Sequence, residues 1–559
     1  MTAPATLDIA APEPDEIPEQ VPADVAARRR ARDLLDERIP GSALWGWLGP
    51  LLVMVVGGII RFLRLDLPHS IVFDEVYYSK DAWALTKFGV ECDWNKACVG
   101  PGYVVHPPLG KWMIAVGEMM FHGDPSNVQN SFGWRFGSAV VGTLAILILA
   151  RTARRMTRST LLGCVAGLLL ALDGLEFVES RAALLDIFLM FWVVAAFACI
   201  VADRDWVRRR LARLIRDDQE LAWPGPRLGP RWWLYAAGVC VGCALAVKWS
   251  AAWIVPGYLI LASIWERGSR RLAGIEVPGK PWWPGLYHYL PSVGGLLILF
   301  RRGLGETGGP RRLPRNGWLH RRIAFVVLPV VAYTASWTGW FVSDGAHAWN
   351  HDRYLVKGEG TLGHMYHVTL AWLDYHRDAI RFHSHLTSPH SYGSKPELWW
   401  VLGRPVSYFY TTPATCGPHD SVAKTCSRAI LAIGTPILWW GSIIAMAAVV
   451  ALWARKRDWR AGAVLVMFAL AYLPWFIWRE RTMFLFYMLP ALPFMILAVT
   501  LALGLVLGKR DASVDRRFWG AVAAGTFVLL VAGNFAYMYP VLAAQTMTYS
   551  DWYAHMWFP

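Results

Sequence analysis

Long apolar segments recur along nearly the whole chain, and they restrict it to one class of fold. Each is about as long as the roughly 20 residues that an α-helix needs to cross a bilayer. Hydrophobic residues make up 55% of the sequence and charged residues 17%, whereas a soluble globular protein has about 25% charged residues. We therefore predict an all-α polytopic membrane protein with about eleven transmembrane helices, at residues 45–64, 136–152, 160–176, 183–202, 232–247, 250–265, 322–342, 431–453, 461–478, 483–507 and 518–540.

The basic residues give these helices an orientation. A net charge of +14 would favour nucleic acid as a partner of a soluble protein, but membrane proteins also collect Lys and Arg in their cytoplasmic loops. Short basic loops such as RTARRMTR and ARKRDWR all fall inside if the N-terminus is cytoplasmic and the C-terminus is outside. Because this topology explains the positive net charge, no nucleic-acid partner is expected. The short apolar segment 286–300 contains Pro291 and would break this alternation as a span, so we expect an interfacial or re-entrant piece there.

This topology divides the chain into successive regions. The first is rich in proline and poor in large apolar residues, which predicts a disordered cytoplasmic tail. Long loops in a compact protein usually carry function, and both long loops lie on the outer side. The regions are the tail (1–43), a catalytic transmembrane module (44–342) with a first outer loop (65–135), a second outer loop (343–430), and C-terminal transmembrane helices with an outer tail (431–559).

Cysteine usage agrees with this sidedness. Four of the eight cysteines fall in the outer loops as two local pairs, Cys92 with Cys98 and Cys416 with Cys426, and none falls in a cytosolic loop. Cysteine pairs outside the cytoplasm predict disulfide bonds. Free thiols at Cys416 and Cys426 are the alternative.

The first outer loop carries candidate catalytic carboxylates. Asp74 and Glu75 are adjacent in FDEVYYSKDA, close to a bilayer, where a charged side chain is costly and usually functional. A carboxylate there can act as a general base or bind a metal, and an acidic pair that stabilises a helix N-terminus is an equal alternative. Farther on, HPPLGKWMIA predicts the start of an interfacial helix, with His106 and Lys111 as groups that can meet a lipid phosphate.

Charged residues also gather between the next spans. The turn ALDGLEFVESRAALLD contains Arg181 and Asp186 together with the acids Asp173, Glu176 and Glu179, and Arg135 lies at the outer mouth of the second span. Five ionisable groups in this turn are more than a tight turn at a bilayer edge needs. Lys248, in AVKWS, lies alone between two apolar spans and should face protein or water rather than lipid.

The second outer loop and a later membrane edge mix aromatic and polar residues. His390 and Lys395 lie beside two tryptophans in SPHSYGSKPELWW, a combination that suits a sugar with apolar faces and a hydroxylated rim. Arg479 and Arg481, in WRERTMFLFYMLPALPF, carry guanidinium groups that suit phosphate. Histidine pairs in this loop could bind a metal, but no third and fourth ligand is evident. No cofactor is assigned, and a divalent metal stays an open alternative.

Taken together, the blocks FDEVYYSKDA, HPPLGKWMIA, GLEFVESRAALLD, AVKWS, SHLTSPHSYGSKP and RERTMFLFYMLPALPF resemble the protein O-mannosyltransferases. This is a family of GT-C membrane glycosyltransferases, and the resemblance runs from about residue 45 to the end of the chain. An outer-face transferase has no nucleotide-sugar pool, so a lipid-linked phosphate sugar is its natural donor.

The resemblance implies a reaction and roles for individual residues. Mannose would move from polyprenyl-phosphate mannose to Ser or Thr hydroxyls of secreted or translocating proteins, with inversion at the sugar. Asp74 would be the catalytic base and Glu75 its supporting acid, and Arg181 and Asp186 would organise the site. The residues that would bind the donor phosphate or sugar are His106, Lys111, Arg135, His390, Lys395, Arg479 and Arg481.

The chain departs from the eukaryotic members of the family. Their second outer loop contains a β-trefoil MIR domain, whereas residues 343–430 are too few and show no all-β pattern. We therefore expect a bacterial member of actinobacterial type in the plasma membrane, with its active site on the outer face. Its expected partners are the lipid donor, acceptor proteins, membrane lipid and the secretion translocon. A GT-C transferase with a glycolipid acceptor and a polytopic transporter are the alternatives.

Overall fold

The computed structural model describes residues 23–36, 39–102, 105–218, 221, 226, 228–275, 320–343, 348–354, 360–413, 415–416, 425–509 and 511–556. Helices form most of this structure. Polar side chains cap several of them: Ser42, Ser159 and Asp173 each accept a hydrogen bond from a backbone N–H in the first turn of the helix that follows, which satisfies a donor that has no partner within the helix.

Ten α-helices occupy the first half of the described chain. Short 3₁₀ turns at Trp94–Lys96, Val128–Asn130 and Trp249–Trp253 lie between them. The helices are α1 (Ala23–Leu35), α2 (Ala43–Phe62), α3 (Glu75–Phe88), α4 (Leu109–Phe121), α5 (Ser131–Thr157), α6 (Thr160–Ala171), α7 (Gly174–Glu179), α8 (Leu185–Arg216), α9 (Trp232–Val247) and α10 (Val255–Leu272).

The second half adds further helices and three shorter helical turns. A π-helical turn at Ile323–Val327 precedes the first of the helices, and 3₁₀ turns lie at Leu473–Ile477 and Leu485–Ala491. The helices are α11 (Leu328–Ser336), α12 (Thr338–Val342), α13 (His351–Tyr354), α14 (Thr361–His385), α15 (Pro396–Trp399), α16 (Pro436–Lys456), α17 (Trp459–Tyr472), α18 (Leu492–Leu507), α19 (Val514–Leu542) and α20 (Tyr549–Ala554).

A small antiparallel sheet was not predicted from the sequence. Its strands are β1 (Val406–Thr411), β2 (Cys426–Ala432) and β3 (Thr546–Thr548), in the spatial order β1-β2-β3. A disulfide bond joins Cys416 to Cys426 across the β1–β2 connection, and a second joins Cys92 to Cys98 in the first long loop. The sheet therefore ties the second long loop to the C-terminal segment.

Helices α5 and α8 form the centre of the bundle. Helix α5 packs against α2, α4, α6 and α8, and α8 also packs against α9 and α10. Close approach is made possible by glycine where α9 crosses the π-helical turn, because a Cβ at Gly238 would clash with the carbonyl oxygen of Ala324. Because side chains from distant parts of the chain meet in this core, buried polar groups can be paired across it.

The described structure is that of a multi-pass membrane protein. Seven helical segments in the described residues are long and apolar enough to span a bilayer: α2, α5 with the turn before it, α8, α16, α17 with the turn after it, α18 with the turn before it, and α19. Helices α6 and α9 are shorter apolar helices. The predicted spans 250–265 and 322–342 fall on α10 and on the π-helical turn with α11 and α12. The number of eleven spans stays a prediction, and segment 286–300 lies outside the described residues.

One prediction for the N-terminal tail is wrong in part. Disorder was expected throughout residues 1–43, but Ala23–Leu35 is helix α1. This helix packs against α8 and α10, and Leu35 is buried in an apolar cluster with Val207 and Leu211. Burial of its apolar end gives the basic helix the tertiary contact that it needs to be stable.

Candidate active site

A cavity of about 310 Å³ lies between the start of α8, the link from α9 to α10, the end of α14 and the turn before α18. Tryptophan side chains form much of its wall, from Trp249, Trp253, Trp475 and Trp478. Such a wall is apolar enough to receive a lipid or the face of a sugar. The polar side chains that line the same cavity are those of His106, Asp186, Lys248, Ser250, His383, Ser384, Arg481 and Tyr487.

An ion pair forms one side of this cavity. Lys248 ends α9 in an extended backbone conformation, and its Nζ lies 2.8 Å from Oδ2 of Asp186, in the first turn of α8. The same Nζ lies 5.1 Å from the centre of the Tyr487 ring. The expectation that Lys248 would face protein agrees with this contact. The pair places a buried ammonium group and a buried carboxylate side by side in the cavity wall.

Asp74 lies beside this pair, at the N-cap position of α3. Its side chain makes no capping hydrogen bond, and no hydrogen bond to its carboxylate comes from the described part of the chain. Burial raises the pKa of Asp74 from its ordinary 3.8 to about 6; the charge of Lys248 opposes this rise and that of Asp186 adds to it. A carboxylate with unoccupied acceptor positions and a pKa near neutrality is suited to general-base chemistry.

The neighbouring Glu75 is held in a different way. It is fully buried, and its two oxygens accept hydrogen bonds from Arg135 Nε at 2.8 Å and Nη2 at 3.0 Å, and from the backbone N–H groups of Val72 and Ala183 at 3.0 Å each. The remaining donors of Arg135 bond to the carbonyl groups of Leu65, Pro68 and Ser70. This ion pair therefore fixes the start of α3, and neither residue lines the cavity.

Two other predicted residues are also paired inside the protein. Lys111 is buried, and its Nζ lies 3.0 Å from Asp81 and 3.3 Å from Glu91. Arg181 donates hydrogen bonds to the backbone carbonyl groups of residues 61, 63 and 64, at 2.6 Å, 2.8 Å and 2.8 Å. These carbonyls end α2, where a guanidinium is favoured by the helix dipole.

Arg481 provides a second cation at the cavity. Its Nη2 lies 3.3 Å from Nδ1 of His383, while Nε2 of His383 donates to the carbonyl of Val105 at 2.8 Å. Burial lowers the pKa of His383 to about 4 and lowers that of His106, whose ring lies 5.1 Å away, well below its usual value. Both imidazoles are therefore neutral near pH 7, and Arg481 pairs with no carboxylate among the described residues.

The other three predicted residues lie outside the cavity. Lys395 is exposed and donates to the backbone carbonyl of Arg479, while the Arg479 side chain pairs with Glu397. His390 is exposed, and its ring lies 5.0 Å from that of Phe484 and 6.2 Å from that of Phe73. His390 therefore lies at the surface beside the Asp74 segment, and Lys395 and Arg479 form a surface cluster with Glu397.

Sequence reasoning assigned no role to His383, Trp249 or Tyr487 as cavity residues. Trp249 follows Lys248 in the AVKWS block, and Tyr487 lies in the block that contains Arg481, so proximity to the quoted motifs is the signal that could have found them. Within the described residues, no group of three or more His, Cys, Asp or Glu side chains is arranged to hold a metal ion.

Comparison with known proteins agrees with this architecture. Family descriptions match the chain in two parts: "Dolichyl-phosphate-mannose-protein mannosyltransferase" at residues 51–283 and "C-terminal four TMM region of protein-O-mannosyltransferase" at residues 369–559. The Saccharomyces cerevisiae protein O-mannosyltransferase Pmt1–Pmt2 complex bound to the sugar donor aligns with a TM-score of 0.63 at 15% identity, over 95% of this chain and 94% of that chain. The predicted GT-C fold is confirmed.

Bacterial relatives are more similar in sequence. The polyprenol-phosphate-mannose–protein mannosyltransferase of Mycolicibacterium smegmatis (strain MKD8) is 36% identical over 531 residues, which is 92% of each chain. The protein of the same name from Mycobacterium tuberculosis (strain ATCC 25618 / H37Rv) is 34% identical over 537 residues, 93% of this chain and 92% of that one. The chain therefore belongs to the protein O-mannosyltransferase family of membrane glycosyltransferases.

Proposed function

We propose that this enzyme transfers mannose from polyprenyl-phosphate mannose to Ser and Thr hydroxyl groups of secreted proteins, with Asp74 as the general base. The observation that carries the proposal is the contrast between the two adjacent acids. Glu75 accepts hydrogen bonds from Arg135 and two backbone N–H groups, whereas the carboxylate of Asp74, beside the Asp186–Lys248 pair of the cavity, accepts none from the residues that the structure describes. Of the two acids, Asp74 is therefore the one that can accept a proton from a substrate.

The reaction is a single displacement at the anomeric carbon of the donor. The carboxylate of Asp74 accepts the proton of the acceptor hydroxyl as the hydroxyl oxygen forms a bond to C1 of mannose. The bond between C1 and the phosphate oxygen breaks, and polyprenyl phosphate leaves with the electron pair. Because attack and departure occur on opposite faces of the sugar, the configuration at C1 inverts.

Two cations of the cavity suit the leaving phosphate. Arg481 pairs with no carboxylate in the described structure and can offer its guanidinium fork to phosphate oxygens. Lys248 is bonded to Asp186 and adds a fixed positive charge. Positive groups held in a partly dry site stabilise the negative charge that develops on a leaving phosphate more strongly than they would in water.

The apolar part of the cavity suits the remainder of the donor. Trp253, Trp475 and Trp478 line it together with aliphatic side chains. An apolar wall that continues to the membrane-spanning helices would let the polyprenyl chain stay in lipid while the sugar reaches Asp74. The charge distribution of the loops supports an active site on the outer face of the plasma membrane and a cytoplasmic N-terminus.

The test uses membranes that contain the protein, labelled polyprenyl-phosphate mannose and a peptide rich in Ser, Thr and Pro. Asp74→Asn removes the proton acceptor with little change in shape, so transfer should fall by about 10²–10⁴-fold, the usual contribution of a general base. Asp66→Asn is the matched control, because Asp66 lies in the same loop and its side chain is 40% exposed. This control should transfer at the wild-type rate.

The products separate the proposal from other acceptors. Label on a peptide hydroxyl, in the anomer opposite to that of the donor, supports the proposed reaction. Label that appears only in lipid would show a glycolipid acceptor instead. Full activity of Asp74→Asn on the peptide would remove Asp74 from the mechanism.

A further inference from the structure

No hydrogen bond from the described residues fixes the Asp74 carboxylate, so its position depends on the backbone around it. On one side, Glu75 is anchored by Arg135. On the other side, Phe73 has a φ of +45°. This is the left-handed region, which an aromatic L-residue rarely adopts and which persists only where the surrounding structure holds it.

The ring of Phe73 is held by aromatic side chains from distant parts of the chain. It stacks on Tyr408, with ring centroids 4.7 Å apart and planes 11° apart. The rings of Phe484 and Phe486 meet it edge-on, at 5.9 Å and 5.8 Å. Tyr408 is the stacked partner, and it is buried on strand β1 of the second long loop.

Tyr408 is itself fixed by a buried acid. Its hydroxyl donates a hydrogen bond to Oε1 of Glu179, the last residue of α7. Glu179 is fully buried, and its other oxygen has no hydrogen-bond partner among the described residues. Burial, followed by the charge of Asp186, raises the pKa of Glu179 well above its ordinary value. The Tyr408 hydroxyl is thus the hydrogen-bond partner of one of the two Glu179 oxygens.

We propose that Tyr408 and Glu179 are positioning residues for Asp74. The Glu179–Tyr408 hydrogen bond fixes the tyrosine ring, and the stacked ring holds Phe73 in the left-handed conformation that directs the Asp74 carboxylate toward the acceptor hydroxyl. The catalytic part of this proposal rests on the proposed function of Asp74. The claim that Tyr408 and Glu179 hold Asp74 in place does not rest on that function, and it can be tested without any transfer reaction.

Strand β1 connects this arrangement to the rest of the second loop. It pairs with β2, which pairs with β3 near the C-terminus, and a disulfide bond joins the β1–β2 connection to the start of β2. The Phe73 ring is therefore contacted by strand β1 and by the segment of Phe484 and Phe486, and α7 acts on it through Tyr408. Tyr408 lies where the register between β1 and β2 shifts, and the paired residues on either side, Ser407 and Phe409, hold its backbone in place, as a positioning residue requires.

The test compares three single variants. Tyr408→Leu removes the stacked ring and the hydroxyl, and Tyr408→Phe removes only the hydroxyl. Tyr410→Leu is the matched control, because Tyr410 lies two residues farther along the same strand and is exposed. Tyr408→Leu should lower kcat by about 10–100-fold with KM for the donor within about twofold, since a small misplacement of a catalytic group costs up to about 10²-fold. Tyr408→Phe should lose about 3–10-fold, and the control should match wild type.

A second readout follows Asp74 directly. Dicyclohexylcarbodiimide reacts with protonated carboxyl groups, so the pH dependence of its labelling of Asp74, measured by peptide mass spectrometry, gives the pKa of that group. Lys248, Asp186, Glu179 and Tyr78 face Asp74 and are the same residues in all three variants. Tyr408 also faces Asp74, but burial raises the pKa of its hydroxyl well above the usual value, so its removal takes no charge from the site. In wild type the labelling midpoint should lie near pH 6, and in Tyr408→Leu it should fall by about one unit, because water reaches a carboxylate that is no longer held.

The outcomes are distinct. A Tyr408→Leu protein with wild-type kcat and an unchanged labelling midpoint would overturn the positioning role. If Tyr408→Leu does not fold, Tyr408→Phe becomes the deciding variant. A wild-type kcat in Tyr408→Phe would then overturn the positioning role. If wild-type protein transfers no mannose, the proposed function fails, while the labelling midpoints still decide whether Tyr408 holds Asp74.

Discussion

The charge balance around Asp74 predicts that Lys248→Met will shift the pH dependence of activity to higher pH. Burial raises the pKa of Asp74, Lys248 lowers it and Asp186 raises it, with a result of about 6. The variant removes the positive charge and also leaves Asp186, whose Oδ2 lies 2.8 Å from Nζ of Lys248, without its partner. Both changes make ionisation of Asp74 harder, so both raise its pKa.

The magnitude follows from the usual effect of one nearby charge. An opposite charge next to a carboxyl group moves its pKa by about 1–3 units. Because Lys248 bonds to Asp186 rather than to Asp74, we expect a shift of about 1–2 units, which moves the midpoint from about 6 to about 7–8. Asp74 must be deprotonated to accept a proton, so activity rises with pH through this midpoint. At pH 7 the ionised fraction of Asp74 is about nine-tenths in wild type and about a quarter in Lys248→Met, if the midpoint of the variant lies near 7.5. The activity that is lost because Asp74 is protonated should return near pH 9. Any loss of activity that persists at high pH comes instead from the missing interaction between Lys248 and the donor phosphate.

The assay is kcat/KM from about pH 5 to about pH 9, because this ratio reports the ionisation of the free enzyme. The donor phosphodiester stays ionised throughout, and His383, with a pKa near 4, stays neutral. Asp186→Asn removes a negative charge from the same site and should move the midpoint in the opposite direction, to lower pH. A midpoint that stays in place in both variants would refute the assignment of Asp74 as the titrating base.

Further predictions follow from the observed pairing. Arg135→Met leaves Glu75 buried without its ion-pair partner and should cost about 3–5 kcal/mol of stability, seen as a lower thermal midpoint or poor folded yield, whereas an unchanged midpoint would contradict the structural role. Arg481→Gln should raise KM for the donor by about 10-fold or more, as expected for loss of a charged hydrogen bond, with a thermal midpoint close to wild type; an unchanged KM would remove Arg481 from the donor site. Peptide mapping without reductant should find Cys92 linked to Cys98 and Cys416 linked to Cys426. Cys416→Ser should lower the free energy of unfolding by about 2–3 kcal/mol, because it opens a short disulfide loop. Free thiols at these four positions would contradict both expectations.

Features that depend on local sequence were predictable. An apolar segment of sufficient length is compatible with the bilayer core whatever its neighbours are, so the membrane class follows from composition alone. The helix predicted to start in HPPLGKWMIA is α4, Leu109–Phe121, because this segment contains its own start signal; its place at the membrane interface stays a prediction. The two cysteine pairs lie six and ten residues apart, so their partners were also local.

Features that depend on distant partners were not predictable. Strand β2 pairs with β3, which lies more than a hundred residues later in the chain, and no local sequence pattern predicts such a strand. Lys111 and Arg135 have the charge that a phosphate needs, but their side chains bond to carboxylates inside the protein. Residue type shows that a cation is present, and only the fold shows what it contacts.

The adjacent acids show this division most clearly. The sequence by itself determined that a DE pair stands near a membrane edge in a chain built from spanning helices. Asp74 and Glu75 are chemically alike, and no local signal separates them. Their difference comes from residues far away in the chain: Arg135 and the Ala183 N–H occupy Glu75, while Lys248 and Asp186 face Asp74 without bonding to it. Tertiary structure decided which acid is held by hydrogen bonds and which has a raised pKa, because the pKa and the hydrogen bonds of a carboxylate depend on the groups that the fold brings to it.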